Sequence, residues 1–142
     1  MATRVAGRES AWDDRWPATF DQSLDWASGD FVEVAAVEDV EDGTLRAIEV
    51  DGQSLVLGNV DGKLYAVSGL CSHLGSKLAL GSLHGPTLTC FAHLWTYDIR
   101  TGEPVWPPMA RVAPGYRLRS HPVRIEGGKI WVSRRPGRRG LN

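Results

Sequence analysis

Two short segments contain the side chains of this sequence that are best suited to metal chemistry. Cys71 and His73 lie in the first segment, Cys90 and His93 lie in the second, and sixteen residues separate His73 from Cys90. Together the segments hold both cysteines and two of the four histidines of the chain. Thiolate sulfur and imidazole nitrogen are good ligands for zinc and for iron. The spacing therefore predicts one metal centre that is formed by two loops.

The order of the donors bears on which metal they bind. Two cysteines and two histidines could hold one structural zinc ion in a tetrahedral site. The usual zinc-finger arrangement takes both cysteines from one segment and both histidines from another, whereas here each segment supplies one of each. This alternation favours two metal ions, with the cysteines on one iron and the histidines on the other iron of a 2Fe-2S cluster. Two alternatives stay open: a zinc-binding structural module, and buried cysteines beside hydrogen-bonded histidines that bind no metal.

The two segments resemble the Rieske-type ferredoxins, which carry the pattern C-x-H followed, after a spacer of similar length, by C-x-x-H. Gly75, Leu78 and Gly81 match small residues and a leucine in the first cluster loop of that family, and the resemblance extends over roughly residues 30–134. The second segment reads Cys-Phe-Ala-His-Leu-Trp-Thr-Tyr at residues 90–97. It is most similar to the ferredoxin component of bacterial toluene-type multicomponent monooxygenases. Ferredoxins of ring-hydroxylating dioxygenases more often have Pro-Trp-His-Gly-Trp there.

The resemblance implies a fold and a cofactor. The fold is all-β: a Rieske-type antiparallel β-sandwich or barrel with a small cluster-binding subdomain made of two loops. The cofactor is one Rieske-type 2Fe-2S cluster with Cys71, His73, Cys90 and His93 as its ligands. Because neutral imidazoles replace two thiolates, the oxidised cluster carries no formal charge and accepts an electron more readily than a cluster with four thiolates. Rieske centres accordingly have potentials of about −150 to +300 mV.

Residues near the expected ligands place the potential at the low end of this range. High-potential Rieske proteins join their cluster loops by an extra disulfide at the positions of Ser76 and Ala92, which cannot form one. Trp95 replaces a serine that donates a hydrogen bond to a bridging sulfide in those proteins. Tyr97 matches a tyrosine whose hydroxyl reaches a cluster cysteine. We therefore expect a low-potential centre that Tyr97 raises somewhat, with an ordinary core aromatic as the alternative role of Tyr97.

Further residues are expected to surround the cluster or to face a partner. Trp95 is large enough to shield the cluster or to present an apolar face to a partner, with core packing as the alternative. Gly75 belongs to the first loop. Pro107 and Pro108 lie in a segment, residues 105–113, that resembles the proline-containing third loop covering the cluster in this family. The fixed φ of proline suits a rigid cover.

The function implied by the resemblance is single-electron transfer. We expect a soluble ferredoxin, with no catalytic residues, that carries electrons from a flavin-containing NAD(P)H reductase to the di-iron hydroxylase of a multicomponent monooxygenase in aromatic hydrocarbon catabolism. A Rieske oxygenase itself would need a second site in which two histidines and a carboxylate hold a mononuclear iron. Only His84 and His121 remain for such a site, and we expect both to be surface or hydrogen-bonded side chains.

Other functions stay open as alternatives. One is the ferredoxin of a ring-hydroxylating dioxygenase, whose partner is a terminal Rieske oxygenase. Another is a small subunit of the nitrite-reductase type, in which a Rieske-like fold serves assembly and does not require the four ligands that are intact here. The third is the zinc-binding module.

The composition limits the classes of protein to which this chain can belong. The 142 residues suffice for one domain, and 42% hydrophobic and 23% charged residues at a formal net charge of −1 are typical of a soluble globular protein. No apolar run approaches the roughly 20 residues of a transmembrane helix, and no secretory segment follows Met1. We therefore expect a cytoplasmic protein with no membrane partner, in which the cysteines stay reduced.

Charge varies along the chain. Residues 31–70 carry two basic and eight acidic residues, whereas residues 71–133 carry seven basic and three acidic residues. If folding keeps this asymmetry, association with partners should depend on salt. The basic tail, residues 135–142, lacks aromatic residues between its arginines, so a frayed terminus is expected and a nucleic-acid partner is not.

The pattern around the metal segments is that of short antiparallel strands. Asp-Gly occurs at residues 51–52 and 61–62, between β-rich runs, and predicts type I′ hairpins. A domain over residues 30–134 is therefore predicted, preceded by an arm at residues 1–29 whose three tryptophans lie on the domain or meet a partner. The predicted strands are 44–50, 54–60, 63–67, 87–90, 95–98, 118–125 and 129–133.

Overall fold

The computed structural model of the chain describes residues 30–112 and 115–137. The expected N-terminal arm, Ala113 of the expected third loop and residues 138–142 of the tail lie outside these residues. Within the described ranges, no helix is long and apolar enough to cross a bilayer.

The described residues contain eleven β-strands, and their only helices are three short 3-10 helices, so the all-β prediction is confirmed. The strands form three antiparallel sheets with the orders β1-β11-β10, β2-β3-β4-β9 and β5-β6-β7-β8. The 3-10 helices span Val37–Asp39, Leu78–Leu80 and Pro108–Arg111. The strands are β1 Phe31–Ala36, β2 Leu45–Val50, β3 Gln53–Val60, β4 Lys63–Ser68, β5 Ser82–His84, β6 Thr87–Thr89, β7 Thr96–Asp98, β8 Pro104–Trp106, β9 Ser120–His121, β10 Val123–Glu126 and β11 Lys129–Ser133.

Both Asp-Gly dipeptides form the predicted two-residue hairpin turns. Asp51 and Asp61 have φ angles of 52° and 53°, and the glycine that follows each also has a positive φ. Two successive positive φ angles define the type I′ turn, whose twist matches that of the strands it joins. The turns therefore fix the register of β2 on β3 and of β3 on β4, with Val50 opposite Gln53 and Val60 opposite Lys63.

The sheet β2-β3-β4-β9 is the central layer, because alternate residues of β3 and β4 are buried on opposite faces. On one face Leu55, Leu57 and Leu64 pack with side chains of β1, β10 and β11. On the other face Val56 and Tyr65 pack with the subdomain that contains β5 to β8. The subdomain is thus held against the sandwich by a continuous apolar core.

The predicted strand at residues 118–125 is two strands in the structure. Ser120–His121 pairs with β4, whereas Val123–Glu126 pairs with β11 in a different sheet. Pro122 lies between them, and proline has no N–H with which to continue a ladder. The chain therefore passes from the central sheet to the outer sheet at this residue.

The sequence patterns missed three strands, β1, β5 and β8.

Residues 135–137, which were expected to belong to the basic tail, contact the domain. Arg135 lies 3.1 Å from the Asp30 carboxylate, and the N–H of Gly137 donates to the carbonyl of Ser120.

Candidate metal centre

The two segments predicted to hold metal form loops with the same hydrogen-bonding pattern. In the first loop the Gly75 N–H donates to the Cys71 carbonyl at 2.8 Å, and the Cys71 N–H donates to Ser76. In the second loop the Leu94 N–H donates to the Cys90 carbonyl at 3.0 Å, and the Cys90 N–H donates to Trp95. The first loop follows β4 and the second follows β6, so the two cysteines come after strands of different sheets.

The fourth residue after each cysteine has a positive φ. This residue is Gly75 in the first loop, with φ of 81°, and Leu94 in the second, with φ of 62°. Glycine adopts this conformation freely, whereas a residue with a Cβ loses roughly 1–2 kcal/mol there. Leu94 is also 62% exposed, so its apolar side chain gains little from burial in the isolated chain.

The four predicted ligands separate into an inner and an outer pair. Cys71 and Cys90 are buried and unbridged, and their side chains lie close enough to interact. The rings of His73 and His93 meet edge to face with centroids 5.0 Å apart, and His93 is exposed. The thiols thus face the core, whereas the imidazole of His93 reaches the surface and that of His73 is half-buried.

Burial raises the pKa of the Cys90 thiol, and the neighbouring Cys71 raises it further, while the N–H groups of Ala92 and His93 lower it in part. A metal ion that binds this sulfur must therefore displace a proton. On the imidazole side, Nδ1 of His73 is buried and has no hydrogen-bond partner. A buried nitrogen without a donor or acceptor is free to serve as a ligand.

This donor set fits a cluster of two metal ions. Within residues 30–112 and 115–137, no group of three or more His, Cys, Asp or Glu side chains is arranged to hold one metal ion. A thiol pair and an imidazole pair on two similar loops instead offer two donors to each of two metal ions, as in the mixed ligation of Rieske centres.

Trp95 is buried against His73. Its indole stacks on His73 with ring centroids 4.4 Å apart and 10° between the planes, and it meets Tyr116 edge to face at 4.8 Å. Only 6% of Trp95 is exposed. The indole is therefore enclosed by the subdomain.

Tyr97 contacts one thiol of the pair, that of Cys71. Its hydroxyl oxygen lies 3.2 Å from Sγ of Cys71 and 2.8 Å from Oγ of Ser72. Burial and the Cys71 sulfur raise the pKa of Tyr97 far above its usual range, so the hydroxyl keeps its proton. Ser72 was not singled out from the sequence, although its place between two ligands was a signal.

The third loop covers the subdomain on another side. Pro107 follows a cis peptide bond after β8 and is half-buried, and the exposed Pro108 begins a 3-10 helix. Ala110 of that helix is fully buried in the apolar group that includes Cys71 and Cys90. The proline segment thus packs into the apolar core of the subdomain through Ala110.

The two ligand loops and the third loop present exposed apolar side chains, here called the collar, that were not predicted. Among the described residues, every exposed large hydrophobic side chain comes from the two ligand loops or the third loop. Residues 70–80, 91–94 and 105–112 contain two charged residues, Lys77 and Arg111, and no carboxylate. The collar consists of Leu70, Leu74, Leu80, Phe91, Leu94, Val105, Trp106, Met109 and Val112.

Comparison with known proteins identifies the family. Residues 30–122 match the Rieske [2Fe-2S] domain. The chain belongs to the Rieske [2Fe-2S] domain family. The predicted cofactor of the family, a Rieske-type 2Fe-2S cluster, is thereby confirmed, and the residues described above fit it.

Several relatives of this Rieske protein are ferredoxin components of oxygenase systems. The ferredoxin component of the naphthalene 1,2-dioxygenase system of Pseudomonas putida is 28% identical over 102 residues, which are 72% of this chain and 93% of the relative. The p-cumate 2,3-dioxygenase ferredoxin of Pseudomonas putida is 35% identical, covering 72% and 85%. The alkene monooxygenase ferredoxin of Xanthobacter autotrophicus is 31% identical, covering 75% and 84%.

Solved Rieske ferredoxins have the same fold. The ferredoxin of carbazole 1,9a-dioxygenase from Nocardioides aromaticivorans IC177 superposes with a TM-score of 0.66 at 30% identity, covering 72% of this chain and 96% of that one. A chain from the complex of reduced oxygenase and oxidised ferredoxin in carbazole 1,9a-dioxygenase gives a TM-score of 0.68 at 25% identity, covering 75% and 95%. Relatives and fold agree on an electron-transfer component of an oxygenase system.

The two remaining histidines occupy the places expected for them. His84 is exposed at the end of β5. His121 is fully buried, and its Nδ1 lies 2.9 Å from the Ser133 carbonyl oxygen.

Proposed function

We propose that this chain is a single-electron carrier in which Cys71 and Cys90 ligate one iron of the 2Fe-2S cluster and His73 and His93 ligate the other. The observation that carries the proposal is the division of the donors into a buried thiol pair and a less buried imidazole pair on two loops with the same hydrogen-bonding pattern. When bound, the cluster accepts one electron and gives it up again.

The collar is the proposed docking face for both partners. His93 is exposed among the collar residues, whereas the thiols are buried behind it. A partner on the collar would therefore approach the imidazole side of the centre. A carrier must leave each partner to reach the next, which requires a small and short-lived interface.

The proposed partners are a flavin-containing NAD(P)H reductase, as donor, and a di-iron hydroxylase of a multicomponent monooxygenase, as acceptor. The Ala-His-Leu-Trp-Thr stretch at residues 92–96 supports this acceptor. The alkene monooxygenase relative, at 31% identity, agrees with a monooxygenase system. We also propose a cytoplasmic location, since ligation requires reduced thiols and both cysteines are unbridged.

A second candidate acceptor is the terminal Rieske oxygenase of a ring-hydroxylating dioxygenase. The naphthalene and p-cumate relatives belong to dioxygenase systems, and so does the ferredoxin seen with its oxygenase in the carbazole complex. These likenesses favour a dioxygenase as much as the second ligand loop favours a monooxygenase.

The cluster is tested by absorption and EPR spectroscopy of the purified protein before and after dithionite. We expect a coloured protein with a rhombic EPR signal in the reduced state only. A colourless protein that is EPR-silent after dithionite and contains zinc would overturn the proposal.

The ligand assignment is tested by His73→Cys with His84→Cys as its control. A third thiolate on the cluster makes it more negative, so His73→Cys should lower the reduction potential. His84 is exposed on β5, away from the loops, so its replacement should leave the potential unchanged. Equal potentials for the two variants would contradict the assignment.

The acceptor is tested by stopped-flow reduction of two purified oxygenases, one di-iron hydroxylase and one Rieske oxygenase, by the reduced protein. Faster transfer to the di-iron hydroxylase is the expected result. Transfer to the Rieske oxygenase alone would replace the first acceptor by the second.

A further inference from the structure

Three oxygen atoms and one sulfur form a hydrogen-bonded group that includes the predicted ligand Cys71. The Ser72 hydroxyl lies 2.8 Å from the backbone carbonyl of Tyr116 and 2.8 Å from the Tyr97 hydroxyl. The Tyr97 hydroxyl in turn lies 3.2 Å from Sγ of Cys71 and receives the Ser72 N–H at 3.3 Å. These contacts are long-range in sequence, and they join the first ligand loop to β7 and to the segment after the third loop.

This group has too few hydroxyl protons to satisfy every acceptor at once. A carbonyl only accepts, so the Ser72 hydroxyl donates its single proton to Tyr116. Oγ of Ser72 is then an acceptor for Tyr97, whose hydroxyl also has a single proton. A cysteine that ligates iron is a thiolate, so Sγ of Cys71 is an acceptor as well. Two acceptors thus compete for one tyrosine proton.

The distances place both acceptors within reach. An O–H···O bond of 2.8 Å is of ordinary length, and 3.2 Å is a close contact to the larger sulfur atom. The carbonyl of Tyr116 fixes the Ser72 hydroxyl in the accepting orientation. Tyr116 is itself held, since its ring packs on Trp95, which stacks on His73.

From this group we infer that Ser72 is a positioning residue that competes with Cys71 for the Tyr97 proton and so keeps the reduction potential lower than Tyr97 alone would set it. The inference rests on the proposed ligation by Cys71. A hydrogen bond to a ligating sulfur withdraws electron density from it and favours the reduced state, so hydrogen bonds to the sulfurs raise the potential. A serine that takes part of that bond away has the opposite effect.

A double-mutant cycle measured by protein-film voltammetry on the cluster-loaded protein tests the inference. Tyr97→Phe should lower the potential, because the donor is lost. Ser72→Ala should raise it, because the tyrosine proton then serves Cys71 alone. In the Tyr97→Phe background, Ser72→Ala should leave the potential unchanged, because no proton remains to compete for.

Control variants separate this effect from a general change in the loop. Ser72→Thr keeps the hydroxyl and should retain the original potential. Ser82→Ala removes an exposed serine of β5 and should change nothing. Ser72→Gly supplies a second hydroxyl-free variant for the cycle where Ser72→Ala yields too little loaded protein.

Resonance Raman spectroscopy gives a second readout. The iron–thiolate stretching bands should shift in Ser72→Ala and should not shift in Ser72→Thr. A Ser72→Ala effect on the potential of equal size with and without Tyr97 would overturn the inference, as would a lower potential in the single variant. Absence of a Rieske EPR signal from the unaltered protein would instead refute the proposed function, so the two failures are distinguishable.

Discussion

The indole of Trp95 lies parallel to the imidazole of His73, with their ring centroids 4.4 Å apart. This contact places the largest side chain of the second loop over a predicted ligand of the first loop. Only 6% of Trp95 is exposed, and the stack links the two loops without any bridge between Ser76 and Ala92. Trp95 is thus packed in the core of the subdomain, and shielding of the cluster by this ring stays a prediction.

Removing the Trp95 ring should shorten the lifetime of the bound cluster. Trp95→Ala leaves a cavity beside His73 and should lower the free energy of unfolding by about 3–5 kcal/mol. Trp95→Phe keeps an aromatic ring on His73 and should lower the free energy of unfolding by less. The measurement is the decay of visible absorption in the presence of an iron chelator. Trp106→Ala is the control, since Trp106 is 50% exposed in the collar; equal decay in both alanine variants would show that the stack gives no protection.

Replacement of Leu94 should change stability and docking in opposite directions. Leu94 has a φ of 62°, which glycine adopts without strain, so Leu94→Gly should stabilise the fold by about 1 kcal/mol. It also removes an exposed part of the collar and should slow electron transfer to the oxygenase. Chemical denaturation and stopped-flow reduction of the oxygenase measure the two effects.

Leu74→Gly is the matched control for this prediction. Leu74 is an exposed collar residue of the first loop, and its φ is not positive, so glycine there should destabilise the fold. If Leu94→Gly is also destabilising, the positive φ of Leu94 carries no strain that glycine relieves.

The elements that could be predicted are those whose signal is local. The type I′ turns at Asp51 and Asp61 follow from dipeptides that need a positive φ, and the register of β2, β3 and β4 follows from the turns. The strands β5 and β8 have three residues each, too few for a period of two to stand out. They form because they pair with β6 and β7, which no local pattern encodes.

The same distinction holds at the centre. The four donor residues could be found from their types and spacing, because the chemistry restricts the side chains that can take part. The contact of Ser72 with Tyr97 joins residues 25 positions apart, and the stack of Trp95 on His73 joins two different loops. Neither could be derived from the sequence by periodicity, since both depend on how the subdomain packs.

Charge near the collar should make docking depend on salt, as the asymmetry of the sequence predicted. Lys77 and Arg111 belong to the loops of the collar, whereas Asp42 and Asp61 meet at the far end of the β3–β4 hairpin, about 20 Å away along β4. The rate constant for reduction of the oxygenase should fall as ionic strength rises, because the cations steer an acidic partner.

The test is to neutralise these two cations and to measure the rate constant over a range of ionic strengths. The double variant Lys77→Gln/Arg111→Gln should flatten the dependence of the rate constant on ionic strength. Asp61→Asn, at the far end, should leave that dependence nearly unchanged. A slope that responds to Asp61→Asn and not to the collar variant would place the docking face at the opposite end of the molecule.

The buried side chain of His121 should make the fold sensitive to acid. Burial lowers the pKa of His121 below its usual value of about 6.5, and the positive charge of Arg119 lowers it further, while the bond to the Ser133 carbonyl opposes both. The unfolded chain therefore binds a proton at a pH where the folded chain does not. Its contribution to stability is complete above pH 6.5 and is lost as the pH falls through 6.5 towards the folded pKa.

His121→Asn tests this origin of acid sensitivity. The asparagine amide can still donate to Ser133, but it does not titrate, so the loss of stability between pH 7.5 and pH 5.5 should be smaller by up to about 1.4 kcal/mol per pH unit. Thermal unfolding midpoints at the two pH values give the measurement. His84→Asn, which replaces an exposed histidine, should leave the difference between the midpoints as it is. If the two variants respond alike to pH, another group is responsible for the acid sensitivity.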